Sequence, residues 1–99
     1  MEGIKGDEVL FKSDIHSKSH LGNEGASLVA AYIEQNSTIT PLSLQGNYIG
    51  NEGASKLAQS LMKNSSVRSI NLSDNRIGPE GTSSIAFALN KNSSITQLV

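Results

Sequence analysis

Leu42-Ser43-Leu44-Gln45-Gly46-Asn47-Tyr48-Ile49-Gly50 returns 28 residues later as Ile70-Asn71-Leu72-Ser73-Asp74-Asn75-Arg76-Ile77-Gly78. Aliphatic residues alternate at the start of each copy, which predicts a short strand with one apolar side. The same spacing holds outside the quoted stretch. Gly22-Asn23-Glu24-Gly25-Ala26-Ser27 recurs as Gly50-Asn51-Glu52-Gly53-Ala54-Ser55 and, weaker, as Gly78-Pro79-Glu80-Gly81-Thr82-Ser83. Asn36-Ser37, Asn64-Ser65 and Asn92-Ser93 keep step. A repeat this regular overrides local propensity, because each unit is one supersecondary element that needs its neighbours to bury a core.

The second half of each unit has helical spacing. Ala54, Leu57, Ala58 and Leu61 form one stripe, matched by Thr82, Ile85, Ala86 and Leu89. Gly50 and Gly78 stand at the expected N-caps, and Pro79 falls at the first helical position, where a missing N–H costs nothing. Glu24, Glu52 and Glu80 suit the positive end of the helix dipole. Asn64 and Asn92 are expected to end the helices in the left-handed conformation. Tyr32, Met62, Phe87 and Ala88 lie off the stripe and are expected to pack between adjacent helices. Stacked units should pair their strands in parallel, with Asn47 and Asn75 satisfying backbone groups of neighbouring turns.

The two quoted runs resemble the leucine-rich-repeat core, Leu-x-Leu-x-x-Asn-x-Leu. The 28-residue period and the Glu-Gly-Ala that follows resemble the ribonuclease-inhibitor-like subclass, which also supplies the C-terminal repeats of NOD-like receptors. The resemblance implies an α/β leucine-rich-repeat solenoid, a right-handed β/α horseshoe arc with parallel strands on the concave side and helices on the convex side. The whole chain, 1–99, then reads as one domain. Residues 1–10 are a lead, 11–38 a degenerate first repeat, 39–66 and 67–94 the second and third repeats, and 95–99 the start of a fourth strand. The first repeat departs from the pattern. Asp14 and His16 fall on apolar strand positions and Ser19 on the ladder asparagine. It is read as a cap using Val9, Leu10, Phe11 and Ile15 in another register, or as an edge cut from a longer chain.

In this family partners dock on the concave face. The resemblance therefore implies a non-catalytic protein-interaction module, with Ser43, Gln45, Asn71, Ser73 and Asp74 on that face and Tyr48 and Arg76 at its rim. Tyr48 and Arg76 are the residue types enriched at binding hot spots. The alternative is a fragment or assembly unit. Ile95, Gln97, Leu98 and Val99 begin a strand with no helix after it, and such an open edge self-associates or continues into further repeats. A third reading comes from the Ran GTPase-activating proteins, which share the repeat class. Arg76 opposes it, since it sits between Asn75 and Ile77 at an ordinary variable position.

Composition narrows the field. The chain has 99 residues, 36% of them hydrophobic and 17% charged, with net charge −1. A chain this size buries roughly two-thirds of its unfolded surface. The charge gives no footprint for nucleic acid or anionic membrane. No cysteine is present, so thiolate metal sites, disulfides and cysteine nucleophiles are excluded. No apolar run approaches the roughly 20 residues of a membrane span. Glu2, Lys5, Asp7 and Glu8 make the start unlike a signal peptide, and the chain is read as cytoplasmic. Four glycosylation patterns, at Asn36, Asn64, Asn71 and Asn92, are accordingly read as unmodified.

Chemistry finds little foothold. His16 and His20 beside Asp14 lie about 13 Å apart on a strand and lack a third ligand, so no metal is expected. No Gly-x-Ser-x-Gly elbow or phosphate loop occurs. Glu24, Glu52 and Glu80 recur one unit apart, too far for a paired acid and base. No cofactor is expected. The partner is expected to be a protein, with a homo-oligomer through the uncapped edge as the other outcome.

Overall fold

Alternation sends Leu42, Leu44, Ile70 and Leu72 inward, and all four are buried. Each strand hands the chain to a tight turn and then to a helix that lies back across the buried side. The computed structural model describes residues 21–35, 37 and 41–99. The lead 1–10, the residues proposed for the first-repeat cap, Ser19, and Asp14, His16 and His20 lie outside these residues.

The order is α1 (Gly22–Gln35), β1 (Pro41–Ser43), α2 (Asn51–Leu61), β2 (Ser69–Asn71), α3 (Pro79–Lys91) and β3 (Gln97–Leu98). The strands form one parallel sheet, β1-β2-β3. Pro41 stands opposite Ser69 and Ser69 opposite Gln97, so register advances by one 28-residue period per strand. α1 packs on α2, and α2 on α3. The core lies between the layers. Val29, Ile33, Leu57 and Leu61 from the helices meet Leu42, Leu44, Ile49 and Ile70 from the strands and turns. This is the solenoid the sequence predicts.

Asparagine side chains join the units at three levels. At the strand turns, Asn75 Oδ1 accepts the N–H groups of Asn47 and Ile49, each at 2.9 Å. Its Nδ2 donates to the carbonyls of Leu44, Leu72 and Ser73. At the helix starts, Asn23 Oδ1 accepts the N–H groups of Gly50 and Gly53, each at 2.8 Å. Asn51 Oδ1 does the same for Gly78 and Gly81. α2 and α3 are thus each N-capped by the unit before, and neither Gly50 nor Gly78 needs a side chain for the task. The third level is at the helix ends. Asn64 Nδ2 donates to Ile33 O at 2.8 Å, and Asn92 Nδ2 to Leu61 O and Asn64 O.

That third level corrects the expectation for Asn64 and Asn92. Neither is left-handed: Asn92 is extended, at φ −102° and ψ 129°, and positive φ outside glycine is confined to Tyr48 and Asp74 among the described residues. Asn is placed there for its amide. Its Oδ1 turns the chain toward the next strand, accepting from Ser66 and Val67 in one unit and Ser94 and Ile95 in the next.

The last helix also departs from expectation. Of Thr82, Ile85, Ala86 and Leu89 only Ile85 is fully buried; Leu89 is half-buried, and Thr82 and Ala86 are exposed. Ala58 and Ala30, one and two units earlier in the same register as Ala86, are each 4% exposed because a following helix covers them. Met62 and Phe87 do not pack between helices as expected but stand exposed, while Ala88 is buried and Tyr32 half-buried.

Close approach at the helix starts dictates glycine. A Cβ on Gly53 would lie 2.7 Å from Asn23 Oδ1 and 2.9 Å from the Ala26 Cβ. One on Gly81 would meet Asn51 Oδ1 at 2.8 Å. Gly53→Ala is therefore expected to lower unfolding free energy by about 1–3 kcal/mol, despite alanine's better helix propensity. Urea denaturation checks the sign; a gain in stability would contradict the close packing.

Candidate functional site

The strands are short, and the residues flanking their buried positions face away from the helices. Ser43 lies there on β1 and Asn71 on β2, both half-buried. Just past the strands, Gln45 Nε2 donates to Asp74 Oδ2 at 3.2 Å, and Asn71 Nδ2 to Gln45 Oε1 at 3.4 Å. Ser73 donates its N–H and its hydroxyl to Asn71 Oδ1, at 3.0 and 2.7 Å. Gln45, Asn71, Ser73 and Asp74 therefore form one polar network across two units. Such a network holds its side chains in place before any partner arrives, which reduces the ordering cost of binding.

Tyr48 and Arg76 meet beside it. They occupy the same position in successive turns, and the Arg76 guanidinium carbon lies 4.3 Å from the centroid of the Tyr48 ring. The Arg76 N–H donates to Ile49 O at 2.8 Å, which fixes the turn beneath the stack. An exposed cation–π pair of this kind contributes about 0.5–1 kcal/mol. Tyr48 is 44% exposed, so the pair shows a face to solvent.

The backbone under Tyr48 is costly. Its φ is +59°, in the left-handed region that a bulky L-residue avoids. Gly46 and Asp74, equivalent in their turns, are also left-handed, but glycine and aspartate tolerate that region. Arg76, the equivalent of Tyr48, is not left-handed. Sequence reading found Tyr48 as a candidate contact without this strain, because nothing in a single sequence reports φ at that turn. It also missed Asn23 and Asn51 as ligands of the next unit. Their signal was present in the Gly-Asn-Glu-Gly period, but was absorbed into the expected helix start.

The second candidate surface is the open end of the stack. Among the described residues β3 pairs only with β2. Gln97 and Val99 donate their N–H groups to Arg68 O and Ile70 O, and Leu72 donates to Val99 O. The alternation leaves the backbone groups of Leu98 on the outer side. Leu98 is 50% and Val99 67% exposed, and Gln97 is exposed. Ile95 instead packs against the core, its N–H held by Asn92 Oδ1 at 2.9 Å. Among the described residues no cluster of three His, Asp or Glu could hold a metal ion. None of their helices is long and apolar enough to cross a membrane.

One strand and one returning helix per 28-residue unit, with asparagines bridging the turns, define the leucine-rich-repeat class. The family described as Leucine Rich repeat matches residues 35–58 and 63–86. A solved structure described as leiomodin-1 actin-binding site 2 is similar, with a TM-score of 0.77 and 25% identity, over 85% of this chain and 49% of that one. The chain spans about half the length of that structure. No curated protein matches the sequence. The chain thus has the leucine-rich-repeat fold, with two repeats that match that family.

Relief of the Tyr48 backbone gives a stability test. Tyr48→Gly removes the strain and the stack together and is expected to leave stability within about 1 kcal/mol of the parent. Tyr48→Val keeps a β-branched side chain in the left-handed region and is expected to be about 1–2 kcal/mol less stable than Tyr48→Gly. Thermal and urea unfolding of the two variants side by side measure the difference. Equal stabilities would contradict a strained turn.

Proposed function

We propose that the chain is a non-catalytic protein-interaction module that takes its partner on the concave strand face and the rim beside it. The Tyr48–Arg76 stack carries this reading. It joins two of the three residue types most enriched at interface hot spots, on neighbouring units, over a turn that keeps tyrosine at an energetic cost. Backbone strain retained in a turn motivates a functional role for the residue that bears it. Ser43, Gln45, Asn71, Ser73 and Asp74 would form the polar border.

The resemblance to leiomodin-1 actin-binding site 2 supports a protein as the partner class and makes actin the first partner to try. The 28-residue period with Glu-Gly-Ala supports the ribonuclease-inhibitor-like subclass, and a cytoplasmic setting belongs to the same proposal. The surroundings of Arg76 give no support to GTPase activation, since the guanidinium lies against Tyr48.

A second reading rests on the exposed Leu98 and Val99, which favour assembly through the open edge. The two readings separate by mutation. Actin cosedimentation, and affinity capture with the chain as bait, would be run on the parent, Arg76→Glu and Leu98→Asp. The rim reading expects Arg76→Glu to weaken capture at least about tenfold, or about 1.4 kcal/mol, with Leu98→Asp unchanged. Loss with Leu98→Asp alone would replace it with the edge reading.

A further inference from the structure

The junction of α1 with α2 is a control for that of α2 with α3. In the first, α2 is tied to α1 by Ser60 Oγ, which donates to Glu34 Oε2 at 3.2 Å. One unit on, the positions of Glu34 and Ser60 are Met62 and Ala88. Both ends of the polar crossing have become apolar. Phe87, next to Ala88, holds the position of Ala31 and Gln59. Met62 and Phe87 are 43% and 55% exposed. They line a hollow of about 430 Å³ between α2 and α3, together with the buried Ala58. A following helix does not cover these positions. Gln59 is exposed in the place of Phe87 although α3 packs beside α2, and so is Met62 itself. Past Ser55, Gln59 and Ser84 the hollow runs on into a second, lined by Glu52 and Glu80 with Lys56 between them and the middle. At the other end Lys91 Nζ lies 5.4 Å from the centroid of the Phe87 ring, and Lys63 follows Met62 in the chain. The groove is therefore acidic over the helix starts, apolar toward the helix ends, and basic beyond.

We propose that this groove in the helix layer binds an amphipathic helix of a partner protein, laid antiparallel to α2 and α3. Its aliphatic residues at i, i+3, i+4 and i+7 cover Met62 and Phe87. Its acidic N-terminus meets Lys63 and Lys91, and its basic C-terminus meets Glu52 and Glu80. The order of charge along the groove chooses this occupant. A helix is stabilised by acids in its first turn and bases in its last. Only an antiparallel helix sets its own favoured charges opposite those of the groove. The size also fits. α2 is 11 residues long, which at the helical rise gives a groove of roughly 16 Å, or about three turns of the occupant. Ser55, Ser83 and Ser84 are short and leave the middle of the groove open to an approaching helix. This surface belongs to the helix layer, not to the strand face with its Tyr48–Arg76 rim, and its test does not depend on that reading.

The experiment is a titration of the complete ¹⁵N-labelled chain with a capped peptide, Glu-Glu-Ala-Leu-Ala-Gln-Leu-Leu-Ala-Gln-Leu-Ala-Lys-Lys. The amide signals of Gln59, Met62, Ser84 and Phe87 are expected to shift in a saturable manner. Phe87→Ser and Met62→Gln, both at exposed sites, are expected to weaken binding at least about tenfold while leaving the circular dichroism unchanged. Lys91→Glu is expected to weaken it about threefold, as an exposed charge pair is lost. A peptide with its N-terminal glutamates exchanged for lysines should then bind Lys91→Glu more tightly than it binds the parent protein. No shift at those amides, or unchanged binding in any of the three variants, would overturn the proposal. So would concentration-dependent shifts of the same amides without peptide, which would give the face to a second copy. Shifts with phosphatidylcholine vesicles alone would give it to a lipid surface and overturn the proposal equally.

Discussion

A backbone N–H that loses water without gaining an acceptor costs about 1–3 kcal/mol, and a stack of strand–helix units buries such groups at every junction. The turns after the strands and the first turns of the helices present N–H groups that no intra-unit ladder satisfies. Asparagine answers both. Asn75 serves the turn before it, and Asn23 and Asn51 serve the helices after them. Asn64 and Asn92 close the helix ends by donating to carbonyls of the preceding unit. The stripe of leucine and isoleucine supplies the driving force for burial. The amides decide the register in which it is spent, because only a 28-residue advance aligns all three levels.

Much of this was legible in the sequence because the repeat makes each unit a control for the others. The strand alternation at Leu42 and Leu44, the helical stripe from Ala54 to Leu61, and the role of Asn75 follow from period and residue type. What escaped was what depends on a neighbour or on backbone conformation. Ala86 reads the same as Ala58, yet one is exposed and the other buried, because α3 packs over α2 whereas no helix among the described residues packs over that side of α3. Asn92 looks like a left-handed helix terminator, but its extended backbone shows the position is held by side-chain bonds. Gln45, Asn71, Ser73 and Asp74 were candidates only through the family resemblance, and their mutual hydrogen bonds needed coordinates.

The same repeat logic locates what is unusual. Tyr48 is a bulky residue in a left-handed turn, stacked on the arginine of the next unit. Met62 and Phe87 are exposed apolar side chains where other units carry Glu34 and Gln59. The apolar positions around Leu98 meet no covering unit among the described residues, whereas their internal equivalents are enclosed. Regular positions explain the fold, and these departures are where the interaction surfaces are proposed.

The central claim is that asparagine amides, used as donors and acceptors in specific places, lock successive units together. Comparing Asn75→Asp with Asn51→Asp by urea denaturation tests it most directly. Asn51 uses only its oxygen, accepting from Gly78 and Gly81, and a carboxylate at a helix start keeps both bonds. Asn75 also needs its Nδ2, and aspartate would set a carboxylate oxygen against the carbonyls of Leu44, Leu72 and Ser73. Asn51→Asp is expected to stay within about 1 kcal/mol of the parent and Asn75→Asp to lose about 2–4 kcal/mol. Equal effects of the two substitutions, or a stable Asn75→Asp protein, would contradict the account.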